Sequence, residues 1–159
     1  IGFVFARGSM EPSPMGMLIG PQLESDLKKA FPKTLTTYPV LYSASLLTNL
    51  SPARTDQASI DKGLEAFRKA ASCRIIIAAG YSQGAAVMHN VVSWKGLDSA
   101  LKNKIAGVAL FGDTRNQQDK GHILNFPAER SKVWCTPSDG VCGGQLNVNA
   151  AHLSYSNGI

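Results

Sequence analysis

Three stretches of this chain are apolar almost without interruption: Ile1–Ala6, Ile75–Ala79 and Ile105–Phe111. Short runs of this kind read as strands buried on both faces. Two other stretches carry apolar residues at helical spacing. Leu18–Phe31 lines up Leu23, Leu27 and Ala30 and stops at Pro32; Gln57–Ala71 lines up Ile60, Leu64 and Phe67. Thr36–Tyr42, broken by Pro39, predicts a second strand, and Lys132–Cys135 a last short one. Helices are further expected over Gln83–Val92 and within Gly96–Asn103, with a helical turn near His152. Ser43–Thr55 is a polar loop interrupted by Leu46, Leu47 and Leu50.

Strands and helices therefore alternate over most of the length, with no repeat, low-complexity tract or linker. That order predicts a single α/β domain over residues 1–159, a three-layer α/β/α sandwich around a mostly parallel sheet. In such sheets, sites form at the carboxyl ends of the strands. Arg7-Gly8-Ser9, Ser82, Asp113 and the Cys135–Cys142 segment all fall at those ends.

Composition narrows the class. A hydrophobic share of 44% with 17% charged residues belongs to a globular chain, and no apolar run is long enough to span a bilayer. The net charge of +5 comes without a basic cluster, since Lys28-Lys29 and Arg68-Lys69 are short pairs on expected helices. A solvated surface explains that charge, and a nucleic-acid partner is not expected. Cys135 and Cys142 flank the turn sequence Pro137-Ser138-Asp139-Gly140 and read as a small disulfide-closed loop, which implies an oxidising compartment. The rival reading, a zinc site, lacks a second Cys/His pair to complete four ligands. Cys73 is left over, as a buried free thiol or the partner of a cysteine outside this sequence. The chain starts at a strand-like run without a methionine and stops without a closing helix, so both ends read as cut.

The candidate chemistry sits where the run Ile75–Ala79 meets Gly80-Tyr81-Ser82-Gln83-Gly84. This is the G-x-S-x-G pattern of a nucleophile elbow, a strained strand-to-helix turn that pushes a serine hydroxyl out of the backbone. A side chain at Gly80 or Gly84 would clash where strand and helix approach closely. The bland alternative is an ordinary turn of an α/β protein. A nucleophilic serine needs a base, and the base needs a carboxylate to fix its tautomer. In α/β hydrolases the order is serine, acid, histidine. Of the three histidines, His89 lies two turns along the elbow helix and points away, as a structural or surface residue. His122 lies in a polar loop beside Gly121. His152, late in the chain, is the best base. Asp113, at the end of a strand, and Asp139, inside the closed loop, compete as the acid; covalent closure would hold Asp139 in register. An oxyanion would be met by the backbone N–H of Gln83 and by Ser9, just past the first strand.

With these residues assembled, the chain closely resembles the fungal cutinases over nearly its whole length. The stretches that carry the resemblance are Ala6–Pro12, Gly80–Ala86, Lys104–Gly107, Leu110–Gly112, Asn125–Ala128, the loop from Cys135 through Asp139 to Cys142, and His152-Leu153. The resemblance implies a small α/β hydrolase with Ser82, Asp139 and His152 as triad, choosing Asp139 over Asp113. It implies Ser9 as a side-chain oxyanion donor beside the Gln83 N–H, with Asn49 steadying Ser9. It also implies Leu46, Leu146 and Val148 at the mouth of an open crevice for acyl chains; from spacing alone, Leu46 and Leu47 are stray loop hydrophobes. Family members carry a second disulfide, from a cysteine just before the first strand to the position of Cys73, and a closing C-terminal helix. This sequence has neither, and Asn147 and Asn149 put polar groups on a rim that is more apolar in the family.

The expected protein is a secreted, monomeric serine esterase without metal or organic cofactor, acting on an insoluble polyester or a small ester. The alternatives are an acetylxylan-type esterase with the same elbow, and a non-catalytic lipid- or wall-binding module.

Overall fold

A computed structural model describes residues 1–158. Five strands form one parallel sheet: β1 (Gly2–Ala6), β2 (Thr36–Pro39), β3 (Ile76–Tyr81), β4 (Ile105–Phe111) and β5 (Ser131–Trp134), in the order β2-β1-β3-β4-β5. The helices are α1 (Gly20–Ala30), α2 (Gln57–Lys69), α3 (Gln83–Ser93) and the short α4 (Ser99–Lys104).

The period-2 alternation of the central strands divides the core between the two faces. Val4, Ala6, Ala78, Val108 and Leu110 point to one side and pack with Phe67, Val87, Val91 and Leu101 of α2, α3 and α4. Phe3, Phe5, Ala79, Tyr81 and Phe111 point to the other, where Ile19, Leu23 and Leu27 of the α1 region meet them. Both faces are buried, as the uninterrupted apolar runs require.

Differences from the expected elements lie at boundaries and in one loop. α1 begins at Gly20 rather than Leu18, with Pro21 in its first turn, where a missing N–H costs nothing. β2 stops at Pro39, which has no N–H to donate to a ladder. The loop after β2 contains a 3-10 turn over Leu46–Leu50. The region after His152 forms turns and a 3-10 turn at Tyr155–Gly158.

Because every strand runs the same way, four strand ends converge on one edge. β1 delivers Arg7–Ser9, β3 delivers Ser82, β4 delivers Gly112–Thr114, and β5 leads into the Cys135–Cys142 loop. Cys135 and Cys142 are disulfide-bonded. Cys73 is a free, partly exposed thiol 3.7 Å from the Tyr38 hydroxyl, so it is not fully buried as one expectation had it.

Candidate active site

Ser82 stands at the junction of β3 and α3 with φ 57° and ψ −120°, a left-handed conformation that a serine adopts only under constraint, at a cost of about 1–3 kcal/mol. The constraint is the close crossing of strand and helix. A Cβ at Gly80 would collide with the Gly84 carbonyl, and one at Gly84 would collide with the carbonyls of Ala6 and Arg7. The expected reason for both glycines is thus met by backbone on all sides.

The structure brings Ser82, His152 and Asp139 together. His152 Nε2 lies 2.9 Å from Ser82 Oγ, and His152 Nδ1 lies 2.9 Å from Asp139 Oδ2. With Nδ1–H donating to the carboxylate, Nε2 is the lone-pair nitrogen that faces the serine hydroxyl. Asp139 is 7% exposed and His152 2%, whereas Ser82 reaches the surface. The other Asp139 oxygen, Oδ1, accepts the Val141 N–H at 3.0 Å. Asn149 Oδ1 accepts the His152 backbone N–H at 3.0 Å, while its Nδ2 donates to the Ser138 carbonyl at 2.8 Å. Asn149, expected as a rim polar group, is exposed and also joins the acid loop to the histidine turn.

The Asp113 carboxylate makes no hydrogen bond to this group of three. It is buried and bonded to His89 Nδ1 at 2.6 Å, and His89 Nε2 meets Asp119 at 2.7 Å. Of the two readings offered for His89, the structural one holds and the surface one is wrong: its ring is fully buried between two carboxylates. His122 is exposed in its loop.

The residues expected to meet an oxyanion also converge. Asn49 Nδ2 donates to Ser9 Oγ at 2.8 Å, which leaves the serine's own O–H to be donated elsewhere. The Gln83 N–H is the first of α3 and has no intrahelical acceptor. Sequence reasoning missed what anchors them. The Glu11 carboxylate accepts three backbone N–H groups, from Gly8 at 2.7 Å and from Met17 and Leu18 at 3.0 Å, and so fastens the loop that carries Ser9. The Gln83 side chain is fully buried and donates to the Ser45 carbonyl and Thr48 Oγ1, tying the Leu46–Leu50 turn to the elbow helix. A G-x-S-x-G scan marks Gln83 only for its backbone.

An open crevice of about 380 Å³ lies over Ser82. Leu46, Leu47, Leu50, Leu146, Val148 and Leu153 give the crevice its apolar lining, with Ser9, Asn49, Ser82 and His152 among the polar groups. Leu47 is 74% exposed, so it belongs to the crevice mouth rather than being a stray loop residue. Arg54 donates to the carbonyls of Asn49 and Gly144, linking the two flanking loops. Burial pushes the Tyr81 hydroxyl well above the usual tyrosine range, with Glu11 and Asp139 adding to the effect. Among the described residues, no group of three or more His, Cys, Asp or Glu side chains is placed to hold a metal ion, and no helix is long and apolar enough to cross a membrane.

The model of the cutinase family matches residues 1–158. The chain belongs to the cutinase family. It is a carboxylic ester hydrolase with the fold seen in its relatives. It is 41% identical over 160 residues to a cutinase 3 of Emericella nidulans, covering 98% of this chain and 72% of that one. It is 44% identical over 159 residues to a cutinase 1 of Fusarium vanettenii, covering 96% and 68%. Among solved structures, a Trichoderma reesei cutinase in complex with a phosphonate inhibitor superposes with a TM-score of 0.85 at 32% identity, covering 99% of this chain and 70% of that one. The catalytic core of a Trichoderma reesei acetyl xylan esterase superposes at 0.71 with 19% identity, a likeness of fold; 99% of this chain and 91% of that one are covered.

Proposed function

We propose that this cutinase-family chain hydrolyses the ester bonds of a cutin-type polyester through an acyl-enzyme on Ser82. The observation that carries the reading is the continuous relay from Ser82 Oγ through the His152 ring to Asp139, both links 2.9 Å, at the floor of an apolar crevice.

Ser82 Oγ attacks the ester carbonyl as its proton passes to His152 Nε2. The negative charge that develops on the carbonyl oxygen is met by the Gln83 N–H and the Ser9 hydroxyl, donors already in place before the reaction. Collapse of the tetrahedral intermediate returns the proton to the leaving alcohol and leaves an acyl-serine. Water then enters, His152 takes its proton, and the acid is released with Ser82 restored. Asp139 orients the ring and balances the imidazolium. The reaction needs no metal or organic cofactor.

The exposed leucines of the crevice favour an apolar acyl chain over an acetyl group on a sugar, which would leave those side chains in water. Extracellular action as a monomer fits this reading: the substrate is an insoluble wall polymer, the disulfide implies an oxidising compartment, and the relay lies within one chain.

Replacing Ser82 with Ala tests it. Release of p-nitrophenol from p-nitrophenyl butyrate should fall by several orders of magnitude, to the residual roughly 10³–10⁴-fold over water that binding and oxyanion donors supply. Near-normal turnover by Ser82→Ala would falsify the assignment. Faster attack on acetylated xylan than on a cutin polyester would instead favour the polysaccharide esterase, and the absence of a phosphonate adduct on Ser82 the binding module.

A further inference from the structure

Asp139 Oδ2 has a second partner besides His152. The phenolic O–H of Tyr155 donates to the same oxygen at 2.6 Å. Tyr155 accepts the backbone N–H of Thr136 at 3.0 Å, so its acceptor side is occupied and its proton is directed to the carboxylate. Thr136 belongs to the turn that presents Asp139, closed by the Asp139 N–H on the Thr136 carbonyl at 2.9 Å. The Tyr155 ring stands edge-on to His152, with centroids 6.2 Å apart and planes at 88°, and edge-on to Phe111 and Tyr81. Packing alone would be served by phenylalanine. A buried hydroxyl is costly unless bonded, and the two strongest bonds this one makes go to the loop of the acid.

We propose that Tyr155 is the positioning residue that holds Asp139 and His152 in register for proton transfer, by donating its O–H to the carboxylate oxygen that His152 uses. The inference rests on the reading of Ser82, His152 and Asp139 as the triad. Of the donors around the carboxylate, Val141 N–H and Tyr155 O–H stay fixed while His152 gains and loses its proton. With one oxygen pinned by Val141 and the other by Tyr155, the carboxylate keeps its orientation in every step. The second donor on Oδ2 also draws off part of the negative charge that the ring feels. Burial first, then the bond to Asp139, pushes the Tyr155 phenol up to about 12, so it remains a donor throughout neutral and mildly alkaline pH. The titratable groups facing the His152 ring are Asp139, Tyr155 and Tyr81, with Glu11 near Tyr81.

The test compares Tyr155→Phe, 3-fluorotyrosine placed at position 155, and Ser82→Ala, on p-nitrophenyl butyrate across pH, with thermal melts alongside. Tyr155→Phe should lower kcat about tenfold, the scale of one hydrogen bond to a charged group, with KM unchanged. Without the donor, more negative charge faces the ring, protonated His152 holds its proton to higher pH, and the acidic limb of kcat/KM moves up. Fluorotyrosine keeps the shape and is a stronger donor, so it should move the limb down; it decides the matter should Tyr155→Phe fail to fold. A limb that stays in place in the folded variants, with kcat unaltered, overturns the inference. An inert Ser82→Ala beside an unmoved limb sinks this inference alone, whereas an active Ser82→Ala sinks the triad reading and this inference with it.

Discussion

The ring of His152 stacks on that of Tyr81, with centroids 5.2 Å apart and planes at 24°, and the Tyr81 hydroxyl donates to the carbonyl of His152 itself at 2.8 Å. The residue just before the serine thus holds the histidine that faces it. Tyr81→Phe keeps the stacking and removes the bond, leaving a buried carbonyl unpaired. We expect a stability loss of about 1–2 kcal/mol and a lower kcat with little change in KM, read from urea melts and steady-state kinetics. A variant with unchanged kcat would mean that stacking alone positions the ring.

Asn49 and Ser9 should behave as a unit. Removing an oxyanion donor costs about 10²–10³ in kcat, so Ser9→Ala is expected in that range. Asn49→Leu leaves the Ser9 hydroxyl present but unsteadied, and its loss should be smaller. In Ser9→Ala, adding Asn49→Leu should cost little more. Full additivity in this double-mutant cycle would show that Asn49 acts by another route.

His89 ties α3 to the segment after β4 through the buried carboxylate of Asp113 and the partly buried one of Asp119. His89→Ala leaves the buried Asp113 carboxylate without that hydrogen-bond partner, and orphaning a buried polar group costs about 1–3 kcal/mol. The urea midpoint should fall accordingly. Asp113→Asn, if folded, should still form a phosphonate adduct on Ser82, whereas Asp139→Asn should label far more slowly. The opposite ranking would return Asp113 to candidacy as the acid.

Stability should decline at alkaline pH. Burial raises the phenols of Tyr42, Tyr81 and Tyr155 above the unfolded value near 10, that of Tyr155 to about 12. Between those values the native state holds protons that the unfolded chain has lost. The stabilisation is therefore complete below about pH 10 and is lost as pH rises through the folded values. Urea melts at pH 9 and at pH 11.5 should show the fall, and Tyr155→Phe should flatten it.

The parts of this molecule that were legible in sequence are those written in local spacing. The apolar runs of β1, β3 and β4 mark strands buried on two faces, and Gly80 and Gly84 around Ser82 mark a turn with no room for side chains. The chain order of Ser82, Asp139 and His152 then narrows the candidates. Choosing between Asp113 and Asp139 took family resemblance, because both lie past the carboxyl end of a strand and nothing in spacing reveals that Asp113 faces His89. Tyr155, Tyr81, Glu11 and the Gln83 side chain were not legible. Each acts through a bond to a partner that only the folded chain brings near, and a tyrosine that packs looks the same in sequence as one that donates. Leu47 was misread for a similar reason: an exposed leucine gains meaning only from Leu146 and Val148, which line the same crevice.

The parallel sheet has a consequence for how the site comes into being. Ser9 follows β1, Ser82 follows β3, and Asp139 and His152 both follow β5, and strands that run parallel cannot be paired by a local hairpin. Asp139 and His152 share one stretch after β5, but Ser82 and Ser9 reach them only from β3 and β1, far back in the chain. Loop closure over long stretches must come first, which makes assembly slow and all-or-none in its outcome. Ester turnover should therefore reappear during refolding no earlier than the last strand, β5, docks, and a partly ordered chain should hold no fraction of the final rate.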